Sequence, residues 1–142
     1  MTGVGINVRG QFNKIHRNKI FNTAGFGIQV RTFYVNPLGL RGVEILDNYL
    51  ERTSGIFLDG DAKDGRVIDA TIRGGEIRNA EFNSITARRS DNVIIDGVRI
   101  TGQVVPGVTD GNGIVFSGSA TAGDNCTNVL INGVERSEEH TS

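Results

Sequence analysis

The chain has 142 residues, 37% hydrophobic and 22% charged, with a formal net charge of -1, 20 Gly, 2 Pro, 1 Cys and no Trp. That length allows one domain with a real core, and the near-neutral charge removes the electrostatic case for a nucleic-acid or anionic-membrane partner. A single cysteine excludes an internal disulfide, no apolar run reaches the roughly 18 residues of a membrane span, and no signal-peptide pattern opens the chain.

Ile and Val number 15 and 14, against 6 Leu and 7 Ala. β-branched side chains are stiff at χ1 and suit a pleated surface, whereas Leu and Ala favour helix, so the composition predicts an all-β protein. The Gly residues, together with 13 Asn, supply the turn positions that many short strands require.

Taken in chain order, the first predicted strand begins at Gly5-Ile6. The same Gly-Ile or Ser-Ile start returns at Gly27-Ile28, Gly55-Ile56, Ser84-Ile85 and Gly113-Ile114, with the isoleucines 22, 28, 29 and 29 residues apart. Within these strands Ile6/Val8, Ile28/Val30, Ile56/Leu58, Ile85/Ala87 and Ile114/Phe116 alternate with mostly polar residues, so one face is buried. A second motif follows each start, two apolar residues five apart around a polar or glycine corner: Ile15/Ile20, Ile45/Leu50, Ile72/Ile77 and Ile95/Ile100. Each repeat is therefore expected to hold three short strands. A unit of about two dozen residues cannot bury its apolar face alone, and stacking successive repeats in parallel would make continuous columns of Ile and Val. The links at 32–42, 101–113 and 118–128 vary in length and are expected to be surface loops.

The Gly-Ile strands, the apolar pairs and the lead-ins Asn92-Val93-Ile94-Ile95 and Asn128-Val129-Leu130-Ile131 resemble the right-handed, single-stranded parallel β-helix of the pectate-lyase-like superfamily, over residues 3 to about 135. The resemblance implies a solenoid of about five coils. The superfamily includes pectate and alginate lyases, polygalacturonases, uronan epimerases and phage tailspikes. Its polygalacturonase motifs Asn-Thr-Asp, Asp-Asp, Gly-His-Gly and Arg-Ile-Lys do not occur here, and Asn22-Thr23-Ala24 lacks the acid.

At the far end, Ile131 is followed five positions on by Arg136 instead of an apolar residue, and 136–142 has no strand period. The string Arg-Ser-Glu-Glu-His-Thr-Ser resembles translated sequencing-adapter read-through. The expected organisation is a repeat region over 1–135, uncapped at both ends like a piece of a longer β-helix, followed by an artefactual tail over 136–142.

In the superfamily the substrate groove runs along the outward face of the first-strand sheet. The period places Asn7, Gln29, Phe57, Thr86 and Val115 in one outward column there, and Arg9, Arg31, Asp59, Arg88 and Ser117 in the next. Strands about 4.8 Å apart would hold Asp59 between Arg31 and Arg88. If the protein is an enzyme, a polysaccharide lyase or glycoside hydrolase, these three are the candidate catalytic residues. Hydrolysis would need a second carboxylate about 5–10 Å away, for which Asp61 and Asp64 are candidates. Arg9, Gln29, Phe33, Tyr34, Phe57 and Thr86 are the candidate substrate-binding residues. Guanidinium forks suit uronate carboxylates, and aromatic faces suit sugar rings.

No cofactor is expected. Asp59, Asp61 and Asp64 would form a Ca²⁺ site only against the interposed Lys63, so a solvated turn is the simpler reading. His16 falls at a corner away from the groove, and Cys126 has no His or Cys partner at ligand spacing. The leading expectation is action on, or binding of, an acidic polysaccharide, outside the cell, at the cell surface or on a virion. The alternative is a structural β-helix shaft of a tailspike or adhesin, a homotrimer in the tailspike case.

Overall fold

The computed structural model describes residues 3–32, 39–60, 65–102, 113–117 and 125–137. Among them every regular element is a β-strand, so no helix is long and apolar enough to cross a membrane. The first repeat contributes β1 (Ile6–Val8), β2 (Lys14–His16) and β3 (Lys19–Phe21). The second contributes β4 (Ile28–Arg31), β5 (Leu40–Arg41), β6 (Glu44–Leu46) and β7 (Tyr49–Glu51). The third contributes β8 (Ile56–Asp59), β9 (Val67–Ile68), β10 (Thr71–Arg73) and β11 (Glu76–Arg78). The fourth contributes β12 (Ile85–Arg88), β13 (Ser90–Asp96) and β14 (Arg99–Thr101), and the fifth β15 (Ile114–Ser117), β16 (Thr127–Asn132) and β17 (Glu135–Ser137).

These strands form three sheets, and each repeat enters all three in turn. The first sheet has the order β1-β4-β8-β12-β15, and the third runs β3-β7-β11-β14-β17. The second runs β2-β6-β10-β13, with β16 on β13 and the short β9 and β5 continuing from β13. Every pairing is parallel. All-β architecture in parallel sheets is compatible with a parallel β-helix.

One detail differs from the expectation. Repeats two and three carry four strands, because Leu40 and Val67 are buried and draw the link before the second strand into the second sheet as β5 and β9. In repeat four the same pairing is absorbed into the seven-residue β13, whose Ser90 lies opposite Val67. At the far end β14 pairs with β17, with Arg136 opposite Ile100. Residues 138–142, and most of the links at 32–42, 101–113 and 118–128, lie outside the described residues.

The core consists of register columns. Val8, Val30, Leu58 and Ala87 stack in the first sheet, Ile15, Ile45, Ile72 and Ile95 in the second, and Ile20, Leu50, Ile77 and Ile100 in the third; all twelve are buried. The five-residue spacing of the apolar pairs has a backbone cause. Arg17, Asp47, Gly74, Gly97 and Gly133 all have positive φ, between 54° and 65°. Five residues earlier φ is also positive at Phe12, Gly42, Asp69, Asn92 and Asn128, and five later at Asn22, Arg52, Asn79 and Gly102. The corners thus rest on left-handed residues, two in succession at Gly74-Gly75, a conformation that Gly, Asn and Asp adopt at least cost. At the middle corner Asn48 is buried, donates from Nδ2 to the Ile15 carbonyl (2.9 Å) and accepts from the Asn18 backbone N–H (2.9 Å).

Candidate functional site

The first sheet brings Arg31, Asp59 and Arg88 together as expected, because β4, β8 and β12 pair with Arg31 opposite Asp59 and Asp59 opposite Arg88. Arg88 Nε donates to Asp59 Oδ1 at 2.7 Å, and Arg31 Nε lies 3.7 Å from Asp59 Oδ2. Asp59 is only 6% exposed, whereas the side chains of Arg31 and Arg88 are 38% and 42% exposed. Both carboxylate oxygens therefore face guanidinium groups and not solvent. A buried carboxylate held in this way fixes the two guanidinium groups on the sheet face.

The neighbouring column also holds its predicted register, Asn7–Gln29–Phe57–Thr86–Val115, but not its predicted openness. Gln29 and Thr86, expected on an exposed face, are buried. Each is the direct register neighbour of the half-buried Phe57. Thr86 Oγ1 has no hydrogen-bond partner among the described residues. Phe57 stacks on Phe26, with ring centroids 4.6 Å apart and planes 18° from parallel, and the Arg88 guanidinium carbon lies 5.6 Å from the Phe57 centroid, within cation–π range. Phe26 was missed because it stands just before the Gly-Ile start, outside the strand period. An aromatic residue flanking that motif was the available signal.

Arg9 lies just beyond the paired part of β1, which ends at Val8, and is exposed. Phe33 and Tyr34, like Asp61 and Asp64, lie outside the described residues. Of the proposed Ca²⁺ ligands only Asp59 is described, and the two guanidinium groups at its oxygens put positive charge where a cation would sit. Among the described residues no three His, Cys, Asp or Glu side chains converge as a metal site. His16 is an exposed residue of β2 in the second sheet, 3.6 Å from Asp47 Oδ2 and remote in topology from the first-sheet face. Burial pushes the Cys126 thiol up, against the opposing effects of the Ser90 and Arg89 backbones and the Arg66 charge, so it stays a thiol at neutral pH.

A second ion-pair cluster had no signal in the repeat pattern. Arg66 Nε and Nη2 donate to Asp91 Oδ2 and Oδ1 at 2.6 and 3.0 Å, Arg66 Nη2 also donates to the Asn125 carbonyl, and Thr127 Oγ1 donates to Asp91 Oδ1 at 2.5 Å. Desolvation pulls the Asp91 carboxyl up, but the hydrogen bonds from Arg66 and Thr127 and the Arg66 charge outweigh it and hold the group below its ordinary value. This fork ties the third, fourth and fifth repeats together.

No family model, curated protein or solved structure matches the chain.

Proposed function

We propose that the described repeats are a stretch of right-handed parallel β-helix of the pectate-lyase-like kind, and that the outward face of the first sheet binds an acidic polysaccharide. The right hand follows from the general rule that crossovers between parallel strands of one sheet are right-handed in ~98% of cases. The observation that carries the binding reading is the arrangement of Arg31 and Arg88 on the buried Asp59 carboxylate, beside the Phe26–Phe57 stack. Partly exposed guanidinium groups fixed by a buried acid are preorganised for uronate carboxylates, and an adjacent aromatic stack offers an apolar face to the sugar ring. Such a partner places the protein outside the cell or on a virion. With both oxygens engaged, Asp59 acts in this reading as a positioning residue.

Calorimetric titration of the chain with polygalacturonate and alginate is the test. Binding should weaken with added salt, and Arg31→Gln and Arg88→Gln should each lower affinity ~10-fold or more, the scale of a lost charge-assisted hydrogen bond. Release of unsaturated or reducing ends by the wild type, lost in Asp59→Asn, would replace the positioning role by catalysis. A second reading, a structural shaft, is favoured by the burial of Asp59, Gln29 and Thr86 on the face that should receive the ligand. It predicts no binding of either polymer, with Arg31→Gln and Arg88→Gln altering thermal stability alone.

A further inference from the structure

The outward face of the second sheet changes character along the stacking direction. In register, its first column reads Lys14–Glu44–Thr71–Ile94–Leu130, charged in the first two repeats and apolar in the last two. Beside it runs the corner column Phe12–Gly42–Asp69–Asn92–Asn128. An open groove of about 330 Å³ lies where the apolar residues and the amides coincide, lined by Asp69, Thr71, Asn92, Ile94, Asn128 and Leu130. The left-handed corners account for Asn and Asp at 69, 92 and 128. They do not account for Ile94 and Leu130, since a solvated sheet face takes polar residues, and Leu130 is 56% exposed.

We propose that this groove binds an uncharged saccharide, with C–H faces of the sugar on Ile94 and Leu130 and its hydroxyls along the row of Asp69, Asn92 and Asn128. The row is preorganised: Asn128 Nδ2 donates to Asn92 Oδ1 at 2.9 Å, and Asn92 Nδ2 donates to Asp69 Oδ1 at 3.0 Å. An amide nitrogen carries two N–H groups, so each has a donor beyond its bond within the row. Asp69, the one charged side chain among these six lining residues, lies 3.7 Å from Arg41 Nη1, which balances its charge. Its volume falls at the lower end of the ~300–1,000 Å³ typical of small-molecule sites and fits a short saccharide segment. The proposal uses none of the first-sheet residues and stands whether or not that face binds an acidic polymer.

The experiment titrates the full chain with cellohexaose, xylohexaose and maltohexaose, and with a galacturonate hexamer as charged control. At least one uncharged hexamer should bind in the millimolar range or tighter. Leu130→Ser and Asn92→Gly should each weaken that binding by about tenfold, while Lys19→Gln, at an exposed position of β3 in the third sheet, leaves it unchanged. Leu130→Ser alters an exposed position and Asn92→Gly keeps the left-handed corner, so an unchanged thermal melt separates loss of the site from loss of the fold. The proposal is overturned if none of the three uncharged hexamers binds, or if both variants bind as the wild type does. It is also overturned if sedimentation shows a dimer that Leu130→Ser dissolves, because the groove is then covered by a second copy of the chain.

Discussion

At the scale of single residues, two kinds of position bear on stability, the left-handed corners and the partly buried ion pairs. Arg17 is exposed and sits at φ 57°, where a side chain costs ~1–2 kcal/mol, against ~0.5–1 kcal/mol of extra unfolded-chain entropy for glycine. Arg17→Gly should therefore raise stability by up to about 1 kcal/mol in a urea melt. Gly75 is the opposite case: its φ is 81° and a Cβ there would overlap the Asn48 carbonyl oxygen, so Gly75→Ala should destabilise by at least the ~1–3 kcal/mol of backbone strain. The Arg66–Asp91–Thr127 cluster gives a pH signature. Because the folded-state pKa of Asp91 lies below its ordinary value, its contribution is present above the ordinary carboxylate pKa of about 4 and is lost as pH falls through the lowered folded value. Asp91→Asn should be less stable than wild type at pH 7, with the gap closing only below about pH 4. An equal gap at pH 7 and at strongly acidic pH would show that the carboxylate charge is not what stabilises the cluster.

At the scale of elements, the repeat unit was legible because its physics is local. Alternation in Ile28/Val30 and Ile56/Leu58 marked the first sheet, and the five-residue pairs marked the second and third, where left-handed residues at Arg17, Asp47, Gly74, Gly97 and Gly133 turn the chain from one sheet to the other. The two-residue strands β5 and β9 were not legible: two residues show no period, and Leu40 stands in the link at 32–42 that reads as a loop. The Arg31–Asp59–Arg88 ladder followed from register alone, but the burial of Asp59, Gln29 and Thr86 depends on neighbours that no single strand encodes. The Arg66–Asp91 pair and the second-sheet groove join residues more than twenty positions apart in chain, where register is needed before proximity can be seen. Within a column, substitutions should be felt by both flanking repeats. Ile72 is fully buried between Ile45 and Ile95, so Ile72→Ala should cost ~2–5 kcal/mol in a denaturant melt, the range for a core isoleucine emptied without collapse.

At the scale of the whole molecule, the strands of each repeat pair with those of the repeats before and after it, so the cost of opening a repeat is expected to depend mainly on those two interfaces. The burial pattern grades along the stack. Ile45, Ile72 and Ile95 are nearly inaccessible, whereas Ile131, their counterpart in the fifth repeat, is 46% exposed, and Leu130 beside it is more exposed still. Local opening should follow that gradient, since a strand bonded on one side with a half-covered side chain loses less on separating than one bonded on both sides. Native-state hydrogen exchange of the 142-residue chain should then find the slowest amides in β8, β10 and β12, and faster exchange in β16, which among the described residues pairs only with β13. The Arg66 fork complicates this in a defined way, because it reaches from the third repeat to Asn125 in the fifth and should slow opening of the start of β16 relative to its end. Arg66→Ala should therefore speed exchange at Thr127 and Val129 more than at Ile131. Uniform acceleration along β16 would assign the fork a global role, and no acceleration at all would show that backbone pairing with β13 alone holds the fifth repeat in place.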